Sequence, residues 1–556
     1  MNRNRFWQVY LRPNGIEIFA FACIFAAALR NIWSISLAMD ISGGDESYYL
    51  YNGISSSPIG YVHIYSRFYG LLHLFNSDPI KLYYLSFQIV CISSTLLFYL
   101  NLRMLRVGIF VSSLATLFLL YSPAYLHRSP ATHFSLLIIL LSLSFALRRK
   151  DLFSFIACLI IGFALAACTR PEVTLSLIIA ILVAIFSWYN SRKFNDPKTN
   201  RIIIGLVCFM GLLFWLNGNP LGARTEEIVI SSSYAQTKAF EDPNIAENPY
   251  IDHSTISEKY FPGARGIFEY ATTNPPEFWW YLKTNTKSFF ANLPYLFLNA
   301  YGHVTDPIPL RIIQSLLFAL PAIILIVRRQ WWPRLRDPIL MRLGIIMISV
   351  CSPVIIVCVL YRPQPGYQIA LVFMIYMLWA YLLDKILTWE KLNRKAKGLV
   401  GFVACSITVV ASPTIADNWI FRASAPPIPN TSPTTETELP NIEIIRFLQK
   451  NITFDEPLKI TNTGFYGFSE NYGDDLKAFL PNFSEVLPPR DPRDFTRFVA
   501  DQEINLVVSN PKRDRNTGPQ DYITHEFVRE RLIQEGFREI SMDFHGKRIF
   551  LKGIFF

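Results

Sequence analysis

The chain is poor in charged residues. Of its 556 residues only 17% are Asp, Glu, Lys or Arg, and 51% are hydrophobic, whereas soluble domains carry about 25% charged residues. This scarcity of charge, together with a mean hydropathy of +0.28, excludes an ordinary soluble domain and indicates an integral membrane protein. The net charge of +10 does not indicate a nucleic-acid partner, because the basic residues cluster in short loops between apolar runs.

Cysteine is missing from the long loop near 218–305 and from the tail after 415. Such a distribution excludes a disulfide framework and suits an oxidising exterior. No CxxC metal pattern, Gly-rich phosphate loop or internal repeat is visible in the sequence. The eight cysteines all lie in apolar runs or at their ends: Cys23, Cys91, Cys158, Cys168, Cys208, Cys351, Cys358 and Cys405.

Apolar runs recur at the length that a helix needs to cross about 30 Å of hydrocarbon. They predict about eleven spans, near 16–38, 82–101, 108–126, 131–147, 152–168, 173–189, 202–217, 308–327, 339–360, 368–386 and 398–415. Every second loop is basic, which predicts a cytoplasmic N-terminus and a C-terminus outside the cytoplasm. The first run is longer than a signal-peptide core of about 7–15 residues, so we interpret it as an uncleaved span; cleavage near Ala26-Ala27-Ala28 is the alternative.

The fold class expected is a polytopic α-helical membrane protein with a small extracytoplasmic α/β domain. Residues 1–415 form the predicted membrane module, 416–440 a Pro-, Ser- and Thr-rich linker, and 441–556 the soluble domain. Long outer loops are expected at about 39–81 and 218–305, the second with a helix near 277–293 lying in the membrane interface. In the tail the patterns predict helices at 441–450 and 524–535 and strands at 458–461, 504–508, 540–544 and 548–552.

The first outer loop carries an acidic pair, Asp45-Glu46, followed by Tyr48-Tyr49. One interpretation is capping of a short helix, whose N-terminus favours negative charge. The other is chemistry, in which a carboxylate takes a proton from an attacking hydroxyl. The two acids could also hold a divalent cation, Mg²⁺ or Mn²⁺.

Three later outer turns carry cations. Arg170-Pro171-Glu172 could brace a tight turn as an ion pair, or Arg170 could bind phosphate with its planar fork of donors. Tyr361-Arg362 lies in a rigid Pro- and Gly-containing turn, where Arg362 could snorkel to headgroups or bind phosphate. His127-Arg128 is a further candidate for binding the lipid phosphate. The alternative is that the histidine has only a structural role. We expect the acids and these arginines to meet in one pocket.

With these residues the chain resembles the GT-C superfamily of polyprenyl-phosphate-sugar glycosyltransferases, in the branch of the protein O-mannosyltransferases and the ArnT-like aminoarabinose transferases. In that branch the first outer loop carries an Asp-Glu pair, matched by Asp45-Glu46, and related members have an Arg-Pro-Glu turn, matched by Arg170-Pro171-Glu172. Tyr361-Arg362 matches a late outer turn loosely. The Lys-Pro-Pro element of the aminoarabinose transferases is absent; His63-Ile64-Tyr65-Ser66-Arg67 stands in that region. A MIR-type module is not recognisable in the tail.

The resemblance implies an inverting glycosyltransferase of the plasma membrane, with a bacterial inner membrane favoured. Asp45 would be the general base, Glu46 would orient it or share a metal, and the arginines would bind the lipid phosphate. The expected partners are a polyprenyl-phosphate sugar, membrane lipids and a glycan, lipid or protein acceptor. A flippase for lipid-linked sugar, a polysaccharide polymerase or ligase, and a non-catalytic scaffold are the alternatives.

Overall fold

The structure is a computed structural model. It describes residues 15–38, 45–55, 64–122, 124–125, 130–190, 197–217, 226–242, 253–298, 338–361, 363, 365–387, 394–412, 440–451, 458–462, 479, 483–485, 506–509, 532–534, 536–544 and 547–552. Contacts within this part of the chain divide it into two compact units. The helical unit falls within Met1–Ile35, Phe87–Ala223 and Leu282–Pro427, and the mixed unit within Ser36–Ser86, Arg224–Tyr281 and Ile428–Phe556.

The described helices follow the apolar runs of the sequence. They are α1 Gly15–Ile32, α2 Ile35–Ala38, α3 Asp45–Ile54, α4 Ile64–His73, α5 Pro79–Met104, α6 Ile109–Tyr121, α7 Pro130–Leu147, α8 Leu152–Ala167, α9 Thr174–Asn190, α10 Pro197–Asn217, α11 Glu226–Glu241, α12 His253–Tyr260, α13 Ile267–Thr273, α14 Pro275–Leu298, α15 Pro338–Leu360, α16 Pro365–Ile386, α17 Arg394–Ala411 and α18 Pro440–Asn451. Many of them begin at a proline, because its fixed φ suits the first helical position and its missing N–H is not needed there.

The fold class of a polytopic helical membrane protein is confirmed. Among the described residues, seven helices are long and apolar enough to cross a membrane: Gly15–Ile32, Pro79–Met104, Pro130–Leu147, Pro171–Tyr189, Thr199–Asn217, Pro338–Leu360 and Gly366–Ile386. Shorter apolar helices lie at Ile109–Tyr121, Leu152–Ala167 and Leu399–Ala411. The predicted span 308–327 lies outside the described residues, and the number of spans and their orientation stay predictions.

Small and polar side chains let the helices of the helical unit pack closely. Buried Asn101 of α5 donates from Nδ2 to the carbonyl of Leu140 at 2.9 Å, and Ser144 Oγ donates to Asn101 Oδ1 at 2.8 Å. Helix α8 approaches α7 so closely that a Cβ at Gly162 would lie 2.2 Å from Ser142 Oγ. The two hydrogen bonds tie α5 to α7 and pair the buried Asn101 amide with the Ser144 hydroxyl.

The tail contributes a five-stranded mixed sheet to the mixed unit. Its strands are β1 Leu458–Asn462, β2 Phe483–Glu485, β3 Leu506–Ser509, β4 Phe537–Phe544 and β5 Lys547–Lys552, in the order β2-β1-β3-β5-β4. β1 pairs in parallel with β2 and β3, whereas β5 pairs antiparallel with β3 and β4.

The tail elements largely match the sequence prediction. Four of the strands and helix α18 lie where they were expected, and the short β2 was not foreseen. Most of the helix predicted at 524–535 lies outside the described residues. The boundaries of a separate soluble domain stay a prediction.

Candidate functional site

The acidic pair begins helix α3. Asp45 is the first helical residue and Glu46 the second, so both lie in the first turn, where the helix dipole favours negative charge. Glu46 is buried, with 7% of its surface exposed. The helix predicted after the acids is therefore present, and Glu46 lies inside the mixed unit rather than at its surface.

Two tyrosines of α4 hold the Glu46 carboxylate. The Tyr65 hydroxyl donates to Glu46 Oε1 at 2.7 Å, and the Tyr69 hydroxyl donates to the same oxygen. Ser86, near the start of α5, donates to the Tyr69 hydroxyl at 2.9 Å and lies 3.2 Å from the Tyr65 hydroxyl. We call Glu46, Tyr65, Tyr69 and Ser86 the acid cluster. It contains residues of α3 and α4 from the predicted first outer loop, and Ser86 from the start of the next predicted span.

Local sequence explains how α3 and α4 meet. Tyr65 and Tyr69 are four residues apart, so they share one face of α4. Gly53 and Gly70 let the two backbones touch, since a Cβ at Gly53 would lie 2.3 Å from the carbonyl oxygen of Ser66 and one at Gly70 would lie 2.8 Å from the Gly53 oxygen. The glycines bring the helices close enough for the phenols to reach Glu46.

The tyrosines of the acid cluster remain protonated donors. Burial raises the pKa of the Tyr65 and Tyr69 hydroxyls well above the ordinary value, and the nearby Glu46 charge raises each pKa further. A phenol that keeps its proton can only donate toward a carboxylate oxygen in this arrangement. Glu46 is thereby fixed in orientation, beside Asp45 in the chain.

The turn Thr169–Val173, which we call the arginine turn, lies in the helical unit between α8 and α9. Its residues Pro171–Val173 form one 3-10 turn, and the Arg170 N–H donates to the Ala166 carbonyl at 2.9 Å. Arg170 Nε donates to Glu172 Oε1 at 2.7 Å. The predicted break at Pro171 is thus present, and so is the ion pair of the structural interpretation.

Arg170 also reaches the second predicted cationic turn. The carbon of its guanidinium lies 5.4 Å from the ring centroid of Tyr367, at the start of α16. A guanidinium over an aromatic face at this distance makes a favourable cation–π contact. The structure therefore brings together two turns that are almost two hundred residues apart in sequence.

A buried amide holds the turn that follows α15. Asn285 of α14 donates from Nδ2 to the Tyr361 carbonyl at 2.8 Å and to the Val359 carbonyl at 3.1 Å. These carbonyls lie at the end of α15. The last carbonyl groups of a helix receive no hydrogen bond from the helix itself, so they need another donor. Asn285 was not among the predicted site residues, because an Asn inside a helix carries no local signal of a distant carbonyl. The helix predicted at 277–293 lies within α14, and its placement in the membrane interface stays a prediction.

Several predicted site residues lie outside the described part of the chain. His127, Arg128 and Arg362 have no described position, and for Asp45 only the backbone in α3 is described. The acid cluster belongs to the mixed unit and the arginine turn to the helical unit, so a shared pocket stays a prediction.

The divalent cation also stays a prediction. Within the described ranges no group of three or more His, Cys, Asp or Glu side chains is placed to hold a metal ion. Glu46 Oε1 already accepts two hydroxyl protons, which suits a hydrogen-bonded carboxylate better than a metal ligand.

Comparison with known proteins found no matching family profile and no matching curated protein. Two solved structures are similar, both crystal structures of ArnT from Cupriavidus metallidurans. The one bound to undecaprenyl phosphate has 11% sequence identity and a TM-score of 0.47, and the similarity covers 96% of this chain and 97% of that chain. The apo structure has 11% identity and a TM-score of 0.48, with 93% and 95% covered.

Proposed function

We propose that this chain is a membrane glycosyltransferase that transfers a sugar from a polyprenyl-phosphate donor to an acceptor hydroxyl at the outer face of the membrane. The observation that carries the proposal is the first turn of α3. There a buried Glu46 is held by two phenols, next to a second acid, Asp45. The donor class is the one implied by the sequence resemblance.

Asp45 is the general base of the proposed reaction. Its carboxylate takes the proton from the acceptor hydroxyl while the hydroxyl oxygen attacks the anomeric carbon. The bond between this carbon and the phosphate oxygen breaks, and polyprenyl phosphate leaves with the bonding electron pair. Attack from the side opposite the leaving group inverts the configuration at the anomeric carbon.

Glu46 is a positioning residue in this scheme. Its carboxylate accepts hydrogen bonds from Tyr65 and Tyr69 inside the mixed unit, which supports a role in fixing the first turn of α3. A fixed first turn restricts the positions open to the neighbouring Asp45. Such preorganisation keeps a base oriented before the acceptor arrives.

Arginines neutralise the departing phosphate. Arg170 is half-buried, and its guanidinium is held by Glu172 and by the ring of Tyr367. A guanidinium that is already oriented loses less conformational entropy when it binds a phosphate oxygen. Arg362 and the pair His127-Arg128 are further proposed contacts of the lipid phosphate, and Tyr361 precedes Arg362 in the same turn.

The test replaces Asp45 by Asn in the full-length protein. Sugar transfer from a polyprenyl-phosphate donor is measured in proteoliposomes, with the anomeric configuration of the product read by NMR. We expect the rate to fall by about 10²–10⁴-fold, the usual loss when a general base is removed. The matched control is Glu241→Gln, an exposed acid in the last turn of α11, which should transfer sugar at the parent rate.

Two results would contradict the proposal. A rate for Asp45→Asn within about tenfold of the parent would remove Asp45 from the base role. Movement of the lipid-linked sugar across the bilayer without a new glycosidic bond would favour a flippase instead.

A further inference from the structure

The C-terminal segment contacts the end of the predicted first outer loop and the first turns of α5 within the mixed unit. Arg446 of α18 donates from Nη2 to Asp78 Oδ2 at 2.8 Å. The ring of Phe479 lies 6.4 Å from the ring of Tyr83, in an edge arrangement. We call these two interactions the tail contact. They join residues from opposite ends of the sequence.

Asp78 does two things with one carboxylate. Its Oδ1 accepts the backbone N–H groups of Ile80 at 3.0 Å and Lys81 at 3.4 Å, which caps the first turn of α5. Its Oδ2 accepts the hydrogen bond from Arg446. Because the same side chain caps the helix and binds the tail, α18 is tied directly to the start of α5.

Apolar packing supports the ion pair. Ile445 and Leu448 of α18 are fully buried, and Phe479 is almost so. Gln449 donates from Nε2 to the Phe479 carbonyl at 3.0 Å. Surface ion pairs on mobile side chains contribute little, but here the segment that carries Arg446 is fixed by its own buried residues.

Helix α5 connects the tail contact to the acid cluster. The carbonyl oxygen of Tyr83, which meets Phe479, lies 3.1 Å from Ser86 Oγ. The one hydroxyl proton of Ser86 is donated to the Tyr69 hydroxyl at 2.9 Å, and Tyr69 donates to Glu46. The first two turns of α5 therefore carry the tail contact at one end and the support of Glu46 at the other.

We infer that the C-terminal segment is a positioning element for the acidic pair: Arg446 and Phe479 hold the start of α5, so that Ser86 keeps Tyr69 on Glu46. The effect of this positioning on sugar transfer rests on the proposed function. The coupling between the C-terminal segment and α3 does not depend on that function. Rigid elements with packed side chains transmit such a constraint because they have few alternative arrangements.

The experiment measures backbone hydrogen exchange in the full-length protein in detergent micelles, without any substrate. The variant is Arg446→Glu, which places a second negative charge beside Asp78. We expect peptides from α3 and α4 to exchange about tenfold faster, because their local opening becomes easier. Arg446→Lys keeps the positive charge and should restore most of the protection.

The matched control is Lys450→Glu. Lys450 is exposed in the last turn of the same helix, so this variant makes the same charge change four residues away and should exchange like the parent. If Arg446→Glu aggregates, Arg446→Gln removes the charge without reversing it. Exchange of α3 and α4 should then change in the same direction by a smaller factor.

Two outcomes would overturn the inference. Faster exchange of α18 alone, with α3 and α4 unchanged, would show that the tail opens without affecting the acid cluster. Unchanged exchange in all three helices would show that Arg446 does not hold the tail. Because no sugar donor is used, either result is independent of the Asp45→Asn assay.

Discussion

Glu46 and Glu172 are two acids held in different ways. Glu46 is buried and accepts hydrogen bonds from neutral hydroxyls, with Tyr65 and Tyr69 lying 19 and 23 residues away in sequence. Glu172 has 25% of its side chain exposed and pairs with the cation of Arg170, two residues before it. Glu46 thus depends on the packing of several helices, whereas Glu172 depends mainly on one turn of the chain.

This difference indicates different roles. Burying a carboxylate costs desolvation free energy, which its hydrogen-bond donors must offset. The loss of a donor in the acid cluster is therefore expected to lower the stability of the fold. A partly exposed pair within one turn contributes little to stability. We interpret the acid cluster as a rigid support for Asp45. We interpret the arginine turn as a local structure in which Glu172 orients the Arg170 guanidinium.

The largest expected effect separates the two acids. Glu46→Ala removes the acceptor that two buried phenol hydroxyls share, and a buried hydroxyl left unpaired costs about 1–3 kcal/mol. Glu172→Ala should cost less than about 1 kcal/mol, as partly exposed ion pairs do. The apparent melting temperature of each variant in the same detergent gives the comparison. Equal shifts would show that the acid cluster is no more important to the fold than the turn.

A smaller loss is expected at the contact between α3 and α4. A methyl group at Gly53 would lie 2.3 Å from the Ser66 carbonyl oxygen, so Gly53→Ala must push the helices apart. Overpacking of this kind costs about 1–3 kcal/mol, and it moves Glu46 away from its phenols. Melting temperature and sugar transfer should both fall.

Gly205→Ala provides the control for this substitution. Gly205 lies in α10, and a Cβ there meets nothing within 4 Å. In a helix Ala is favoured over Gly by about 1 kcal/mol, so this variant should be neutral or stabilised. A Gly53→Ala protein that melts at the parent temperature would contradict the close approach of α3 and α4.

The smallest expected effect concerns pH and the tail contact. Burial alone would raise the pKa of Asp78, but the hydrogen bond and charge of Arg446 and the capping N–H groups outweigh it and lower the pKa below the ordinary value. Among the described side chains, Lys81 and Arg446 form ion pairs with Asp78. The stabilisation is therefore complete above the ordinary Asp pKa of about 4, and it is lost as the pH falls through the lower value of the folded state.

The measurement is the difference in melting temperature between the parent and Arg446→Gln at several pH values. It should stay constant from about pH 8 to pH 5 and shrink only below about pH 4. The difference should be small throughout, since 46% of the Arg446 side chain is exposed. A difference that disappears already near neutral pH would contradict the ion pair with Asp78.

Much of the architecture could be predicted from local patterns. Ten of the apolar runs lie on described helices, many helices begin at prolines, and four strands of the tail follow their expected stretches. The Arg170–Glu172 pair was foreseeable because its members share one turn. Hydropathy, proline geometry and turn chemistry act over a few residues, so the sequence shows them directly.

The partners that build the candidate site were decided by tertiary structure. Glu46 meets Tyr65 across 19 residues, Asn285 meets the Tyr361 carbonyl across 76, and Arg446 meets Asp78 across 368. No periodicity links such positions, because each contact depends on how separate helices pack. The sequence by itself determined which segments are helical, apolar or extended; only their packing determined which acid is buried, which amide holds a helix end and where the tail attaches.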